Sequence, residues 1–293
     1  MLDETVLDGT VLLGTVLDGT VLLGTVAIEP NRWGMAEPGG HPMIRVSHWL
    51  DQIEEAGFDG IELWEGHARA VSDGEAQLLA ESSPPVAIFN TYVNWDDTDD
   101  TERSEAAGWV ERLGAGAVKF NLGPRTDSIG AYTERLAAFE RSVPDGVRLL
   151  CECHAGTVAE DPALASKLFD EVAESDRLGA IVHLHPPAET GDDPHAEVLA
   201  AALDHLDHRV AHVHVQCHEV AAEESSEELA DRLAAPHGLI RSAAHRPLSW
   251  TVEFTSGVSG WTGVVDPEHD RPGRVLEAAR RDLGALRQLN ARP

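Results

Sequence analysis

The chain has 293 residues and carries 51 acidic against 22 basic side chains, which gives a formal net charge of −29. Because the backbone of a nucleic acid requires clustered positive charge, this balance argues against a nucleic-acid partner. No apolar run reaches the roughly 18 residues of a membrane span, and the N-terminus lacks the basic region of a signal peptide. Three cysteines, an odd and low count, favour a reducing compartment. We therefore expect a cytoplasmic protein.

The basic residues include very few lysines. Only two are present, Lys119 and Lys167. An acidic surface with little lysine is typical of a protein that stays soluble in concentrated salt, where the Debye length falls to about 3 Å and self-repulsion is screened. We interpret the composition as halophilic adaptation, and the alternative is an ordinary acidic cytoplasmic protein.

The N-terminal segment is repetitive. Residues 5–14 recur identically as residues 15–24, and Thr25 begins a third copy. A ten-residue period that occurs twice is too short for a solenoid domain. We interpret residues 1–24 as a repetitive extension that lengthened the first strand, and residues 25–293 as one domain. The alternative is additional β-structure at an edge.

From Thr25 onward, strands and amphipathic helices alternate about every 30 residues, the size of one βα unit. The predicted strands begin near Val26, Gly60, Val86, Ala117, Arg148, Ala180, Val210 and Trp250. The predicted helices cover Arg45–Ala56, Thr101–Leu113, Ala131–Val143, Pro162–Ala173, His195–Leu206, Glu227–Leu233 and Arg274–Leu289. After Leu233 we expect a long loop, because Pro236 and Gly238 follow. Eight strand–helix units predict a closed (β/α)8 TIM barrel in a single domain.

The strand that begins at Arg148 carries unusual polar groups. Alternation places Glu152 and His154 on one face, while Cys151 and Cys153 point away and are interpreted as small buried hydrophobic residues. A buried carboxylate without a partner is costly, so a compensating group is required.

The next three strands carry similar groups, in the order His183 and His185, His212 and His214, and Glu253. Oxygen and imidazole ligands on four successive strands suit a divalent transition metal. We predict one metal ion held by Glu152, His185, His214 and Glu253. His154, His183 and His212 are interpreted as groups that orient ligands, bind substrate or lie deeper in the barrel.

Other polar residues also stand at the C-terminal ends of strands, where barrel enzymes keep their chemistry. Lys119 could polarise a substrate oxygen, or it could form an ion pair with Glu62 or Glu152. His67, Trp33 and Trp64 are candidates to line the mouth, and ordinary packing is the alternative for both tryptophans.

Four segments together resemble the xylose-isomerase-like barrel superfamily. They are Leu150–Gly156 (LCECHAG), His212–Gln216 (HVHVQ), Thr251–Phe254 (TVEF) and Gly57–Trp64 (GFDGIELW). The superfamily includes sugar epimerases, hydroxypyruvate-type isomerases, inosose dehydratases and the endonuclease IV branch.

The resemblance implies a metal held by Glu on strand five, Asp on strand six, His on strand seven and Glu on strand eight. Glu152, His214 and Glu253 match three of these positions. Strand six has no Asp, and His185 stands where the carboxylate is expected. An imidazole in place of an oxygen ligand favours Mn, Co, Fe or Zn over Mg.

The resemblance also implies an activity. Glu152 and Glu253 would exchange a proton next to a metal-bound carbonyl, so we expect an isomerase or epimerase of a small sugar or polyhydroxy carbonyl compound. A homo-oligomer is compatible with this expectation. His67, Asn90, His154, His183 and Trp33 are the predicted substrate contacts. The alternatives are a lyase that dehydrates a cyclic polyol or keto acid, an endonuclease IV-like phosphodiesterase with about three metals, and a barrel that binds a ligand without catalysis.

Overall fold

The computed structural model describes residues 18–34, 40–95, 99–124, 129–172, 176–187, 193–256 and 271–292. These residues form a closed barrel in which each strand pairs with its sequence neighbours and β1 pairs with β8. All of the pairings are parallel. The prediction of a single (β/α)8 barrel is confirmed.

The strands are short, as is usual for a barrel. They are β1 Val21–Gly24, β2 Gly60–Trp64, β3 Val86–Asn90, β4 Ala117–Phe120, β5 Arg148–Glu152, β6 Leu178–Leu184, β7 Val210–Gln216 and β8 Ser249–Phe254. The expected start of the first strand near Val26 is wrong, because β1 already begins at Val21, within the second copy of the repeat. Residues 1–17 lie outside the described residues, so the division of the chain at residue 24 stays a prediction.

The helices surround the barrel. They are α1 Leu50–Ala56, α2 Glu65–Ala70, α3 Asp73–Ala80, α4 Thr101–Leu113, α5 Ile129–Ser142, α6 Pro162–Val172, α7 Pro194–Leu206, α8 Ser226–Ala243 and α9 Pro272–Asn290. Short 3₁₀ helices cover Val46–His48, Val158–Glu160 and Asp207–Arg209. Within these described segments, no helix is long and apolar enough to cross a membrane.

Two of the predicted helices differ from the structure. The helix expected from Arg45 is a 3₁₀ turn followed by α1, which starts at Leu50. The loop expected after Leu233 is helical instead, because α8 continues through Pro236 to Ala243. Proline inside a helix removes one backbone hydrogen bond, but α8 packs along α9 and buries Leu233 and Ile240. Burial of this apolar face is the physical reason why the helix continues past the proline.

The barrel interior changes from apolar to charged along the strands. Near the amino ends an apolar layer fills the interior, formed by Leu22, Ile88, Ala117, Leu150, Ile181 and Ala211. Toward the carboxyl ends of β4, β5, β7 and β8 the buried interior carries polar and charged side chains, among them Lys119, Glu152, His214 and Glu253. The apolar layer closes the barrel floor, so the charged groups lie at the carboxyl ends of the strands.

Candidate metal centre

Four side chains converge at the carboxyl ends of neighbouring strands. Each of Glu152, His183, His214 and Glu253 offers one ligand atom, and these four atoms lie within 4.8 Å of one another. The residues come from β5, β6, β7 and β8 in that order. Both glutamates and His214 are buried, whereas the side chain of His183 is 20% exposed. The predicted convergence of four successive strands is therefore present in the fold.

The contacts inside this group are close. His183 Nε2 lies 2.8 Å from Glu152 Oε1. His214 Nδ1 lies 3.4 Å from Glu152 Oε1 and 3.3 Å from Glu253 Oε2. One imidazole nitrogen of His214 therefore faces both carboxylates.

A buried ion pair holds Glu152 from the side of β4. Lys119 Nζ lies 2.6 Å from Glu152 Oε2, and both side chains are buried. Burial alone would lower the pKa of Lys119, but the adjacent Glu152 carboxylate outweighs this effect and raises it. Burial would likewise raise the pKa of Glu152, yet Lys119 and the neighbouring imidazoles hold it well below the usual range. Of the two interpretations of Lys119, the ion pair with Glu152 is the one that the structure contains.

Glu253 has a different partner. Gln216, on β7, donates from Nε2 to Glu253 Oε2 over 2.7 Å. Burial opposes ionisation of Glu253, but His214 outweighs it and lowers the pKa of the carboxyl below its ordinary value. Both glutamates at the site are consequently carboxylates at neutral pH.

A second polar network lies beneath these groups. His214 Nε2 is 3.1 Å from Glu62 Oε2. Asn90 donates from Nδ2 to Glu62 Oε1 over 2.7 Å. His212 Nε2 lies 2.9 Å from Thr251 Oγ1, and its Nδ1 lies 2.6 Å from Ser249 Oγ. The imidazole of His214 thus joins the lower network to the group above.

The two glutamates of the upper group line a cavity of about 490 Å³, to which Trp33, Trp64, Tyr92 and Phe254 contribute aromatic surface. Glu152, His154, Gln216 and Glu253 are its polar lining on the side of β5, β7 and β8. Trp33 stacks on Phe254 with ring centroids 5.9 Å apart, and Trp64 meets Tyr92 edge-on at 6.4 Å. The remaining lining residues are Val26, Arg32, Glu65, Gly66 and Arg69. A concave site with aromatic walls and a few convergent polar groups is typical of small-molecule binding.

The structure brings together three of the four predicted ligands. His185 was predicted to complete the set, but the fourth member of the group is His183. The two histidines share a face by alternation, yet β6 ends at Leu184 and His185 lies beyond it. The His185 ring stacks on His195 with centroids 3.9 Å apart. His183, in contrast, is paired in register with His214.

The other predicted substrate contacts divide into two groups. Trp33 and His154 line the cavity. His67 does not, because its ring is buried between Glu29 and Thr25, with both nitrogens at 3.0 Å from their partners. Asn90 is also absent from the lining, since it lies lower in the barrel and donates to Glu62. Sequence reasoning did not single out Tyr92, Gln216 and Phe254 as lining residues, although all three stand at or just beyond a strand end.

The donor set fits a divalent transition metal. Two carboxylates and two imidazoles are ligands of the kind that Zn, Mn, Fe and Co accept. Burial would lower the pKa of His214, but the carboxylates of Glu253 and Glu62 outweigh burial and raise it well above the ordinary value. In the metal-free protein the ring is therefore a cation among these acids. A divalent metal would take the place of the proton on Nδ1, which lies 3.4 Å from Glu152 Oε1 and 3.3 Å from Glu253 Oε2.

The comparisons with known proteins identify the fold. No protein-family model and no curated protein matches the sequence. Several solved structures share the architecture, and the IOLI protein with a bound zinc atom has a TM-score of 0.60 at 13% identity, covering 92% of this chain and 99% of that one. D-psicose 3-epimerase with D-tagatose from Clostridium cellulolyticum H10 has a TM-score of 0.54 at 10% identity, covering 93% and 96%. The 3-keto-D-glucoside 4-epimerase YcjR from E. coli has a TM-score of 0.50 at 12% identity, covering 89% and 98%. At such identities the likeness shows a shared fold.

Proposed function

Because the chain has the fold of the xylose-isomerase-like barrels, we propose that it is a metal-dependent isomerase or epimerase of a small sugar or polyhydroxy carbonyl compound. The observation that carries this proposal is the group Glu152, His183, His214 and Glu253, whose ligand atoms lie within 4.8 Å of one another. Both glutamates of the group also line a cavity large enough for a small molecule.

A divalent metal bound by these four residues would act as a Lewis acid that polarises a carbonyl and acidifies the neighbouring C–H bond. The rest of the chemistry belongs to side chains of the chain. Glu152 and Glu253 are ionised, so either can accept a proton from carbon and return it. They project from β5 and β8, with two strands between them, and therefore reach a molecule in the cavity from different sides. Two bases on different sides are what inversion at one carbon requires, whereas isomerisation between adjacent carbons requires only one.

The neighbouring residues keep these carboxylates in place. Lys119 holds Glu152 through the buried ion pair, and Gln216 holds Glu253 through a hydrogen bond. A base with restricted rotamers reaches the reacting C–H bond at a lower entropic cost. Lys119 is completely buried behind Glu152 and is not among the residues that line the cavity, so its role in this proposal is to keep Glu152 ionised.

The aromatic walls favour the same class of substrate. Trp33, Trp64 and Phe254 present apolar surface, on which the C–H faces of a sugar ring or chain can pack. The polar lining next to Glu152 and Glu253 would receive the hydroxyl and carbonyl groups. Two of the similar solved structures are sugar epimerases, one of which contains D-tagatose, and the IOLI structure contains zinc. These likenesses support the choice of substrate class and of a metal such as Zn.

The test is a panel of ketoses and polyhydroxy carbonyl compounds incubated in D₂O with protein loaded with Zn²⁺ or Mn²⁺. We expect metal-dependent incorporation of deuterium at a carbon next to the carbonyl, together with formation of an isomer, and both should stop when a chelator is added. Glu253→Gln should abolish exchange. Glu75→Gln is the matched control, because Glu75 is buried and bonded to Ser47 away from the cavity.

Three outcomes would overturn the proposal. A product that has lost one water would show a lyase. Hydrolysis of phosphodiesters by protein with several metals per chain would show the nuclease alternative. An absence of exchange and turnover across the panel, with metal bound, would leave a ligand-binding barrel.

A further inference from the structure

Three buried histidines of the barrel have similar surroundings but differ in one respect. His67 uses both ring nitrogens, one toward Glu29 and one toward Thr25. His212 also uses both, toward the hydroxyl groups of Ser249 and Thr251. His214 directs Nε2 toward Glu62, whereas its buried Nδ1 makes no hydrogen bond of ordinary geometry and faces the carboxylates of Glu152 and Glu253 at 3.4 and 3.3 Å.

The pairs His67–Glu29 and His214–Glu62 have nearly the same geometry. The Nε2-to-carboxylate distance is 3.0 Å in the first pair and 3.1 Å in the second. In the first pair a threonine hydroxyl closes the other side of the ring. In the second pair the other side faces Glu152 and Glu253, the two acids of the candidate metal centre. One pair is therefore closed and the other is open toward the site.

Glu62 is well placed to determine whether Nε2 of His214 carries a proton. Its carboxylate is buried, and its ion-pair partners among the described residues are His212 and His214. Asn90 fixes the second oxygen of Glu62, so the carboxylate is held from two sides. A carboxylate can only accept hydrogen bonds at this nitrogen, so Nε2 must carry the proton. In the metal-free protein Nδ1 is also protonated, because it faces Glu152 and Glu253. A bound metal would replace the proton on Nδ1, whereas Glu62 keeps the proton on Nε2.

We propose that Glu62 is a positioning residue of the metal centre, which fixes His214 in the Nε2–H tautomer so that Nδ1 binds the metal. The inference rests on the proposed function, because it assumes that the four-residue group binds a divalent cation. A carboxylate behind a metal-binding histidine fixes the orientation of the ring and raises the basicity of the ligand atom. Glu62 also adds a buried negative charge to a ligand set that has two neutral imidazoles.

The first experiment measures metal affinity without any substrate. Wild-type protein, Glu62→Gln and Glu29→Gln are stripped with chelator and titrated with Zn²⁺ and with Mn²⁺ by isothermal calorimetry. Loss of an outer-shell carboxylate typically weakens metal binding about 10- to 100-fold, and we expect a loss of this size for Glu62→Gln. Glu29→Gln removes the same kind of buried carboxylate from the closed pair, so its affinity should equal that of wild type.

The second experiment reads the tautomer directly in the wild-type protein. Long-range ¹⁵N–¹H NMR of the Zn²⁺-loaded protein should show His214 with a proton on Nε2 and none on Nδ1. This measurement also covers the case in which Glu62→Gln does not fold.

The results separate this inference from the proposed function. If wild type binds no divalent metal, the proposed function and this inference both fail. If wild type binds metal but Glu62→Gln binds it equally well, or if Nδ1 of His214 carries the proton, only the role of Glu62 is overturned. An equal loss of affinity in Glu29→Gln would indicate a general effect on the fold and would also overturn it.

Discussion

Replacing Lys119 with methionine removes the ammonium group that faces Glu152 but keeps a side chain of similar length. Lys119 Nζ lies 2.6 Å from Glu152 Oε2, and the two side chains are 0% and 2% exposed. Removing one partner of a buried ion pair leaves the other charge uncompensated and typically costs about 3 to 5 kcal/mol. We therefore expect Lys119→Met to lower the free energy of unfolding of the metal-free protein by about 3 to 5 kcal/mol.

The chain offers a matched control because it contains only one other lysine. Lys167 lies 4.0 Å from Glu171 on α6, and the two side chains are 63% and 41% exposed. An exposed pair of this kind contributes about 0.3 to 0.5 kcal/mol, so Lys167→Met should change stability by no more than this. Denaturant unfolding followed by circular dichroism measures both variants. Equal destabilisation by the two substitutions would refute the argument from the buried pair.

The same pair predicts a pH dependence. The folded-state pKa of Glu152 is held well below its ordinary value of 4.5, with burial opposed by Lys119. A carboxyl with a lowered folded-state pKa contributes stability above its unfolded-state pKa, and this contribution is lost as the pH falls through the folded-state pKa. The difference in stability between wild type and Lys119→Met should therefore be full at pH 7 and should shrink as the pH falls below about 4.5. A difference that stays constant down to acid pH would contradict the assignment.

Two further predictions concern strand six and helix α9. His183→Ala should lose bound metal while His185→Ala retains it, since only His183 is in the group of four. Elemental analysis after dialysis measures the metal bound by each variant. The reverse result would restore His185 as the predicted ligand. Asp282 is buried on α9 with its pKa raised by burial to about 6, from 3.8. Because its folded-state pKa lies above the unfolded value, the folded protein binds the proton more tightly, so wild type should gain stability relative to Asp282→Asn as the pH falls from 7 through 6 toward 4. Denaturation midpoints across this pH range measure the difference in stability between wild type and Asp282→Asn. A difference that does not change with pH would count against the raised pKa of Asp282.

The fold was predictable because two periodicities agree along the chain. Strands of period two alternate with helices of period 3.6, and the polar residues stand at the strand ends, as for Glu152 and Glu253. These patterns are local, so the sequence carries them completely. The start of β1 was not predictable in the same way, because identical repeats offer two similar places for a strand.

The candidate ligand on strand six shows the limit of the same reasoning. Alternation assigns a face to a residue, but it does not say how far along the barrel axis the residue lies. His183 and His185 share a face, but they lie two residues apart along the barrel axis. The choice depends on the register of β6 with β7, in which His183 pairs with His214. Register is set by contacts between strands, which one sequence does not display.

The partner of Lys119 and the continuation of α8 past Pro236 also depend on tertiary structure. The ion pair with Glu152 rather than Glu62 requires the order of strands in the closed barrel, where β4 neighbours β5. The continuation of α8 past Pro236 requires the packing of α8 on α9, which outweighs the local preference of proline.

The most direct test of the metal centre is the number of divalent ions bound per chain, measured by elemental analysis after equilibrium dialysis against Zn²⁺ or Mn²⁺. Wild type should bind one ion per chain, and the double variant Glu152→Gln, Glu253→Gln should bind none while remaining folded by circular dichroism. If wild type binds no ion, or if the double variant binds as much as wild type, the four-residue group is not a metal centre.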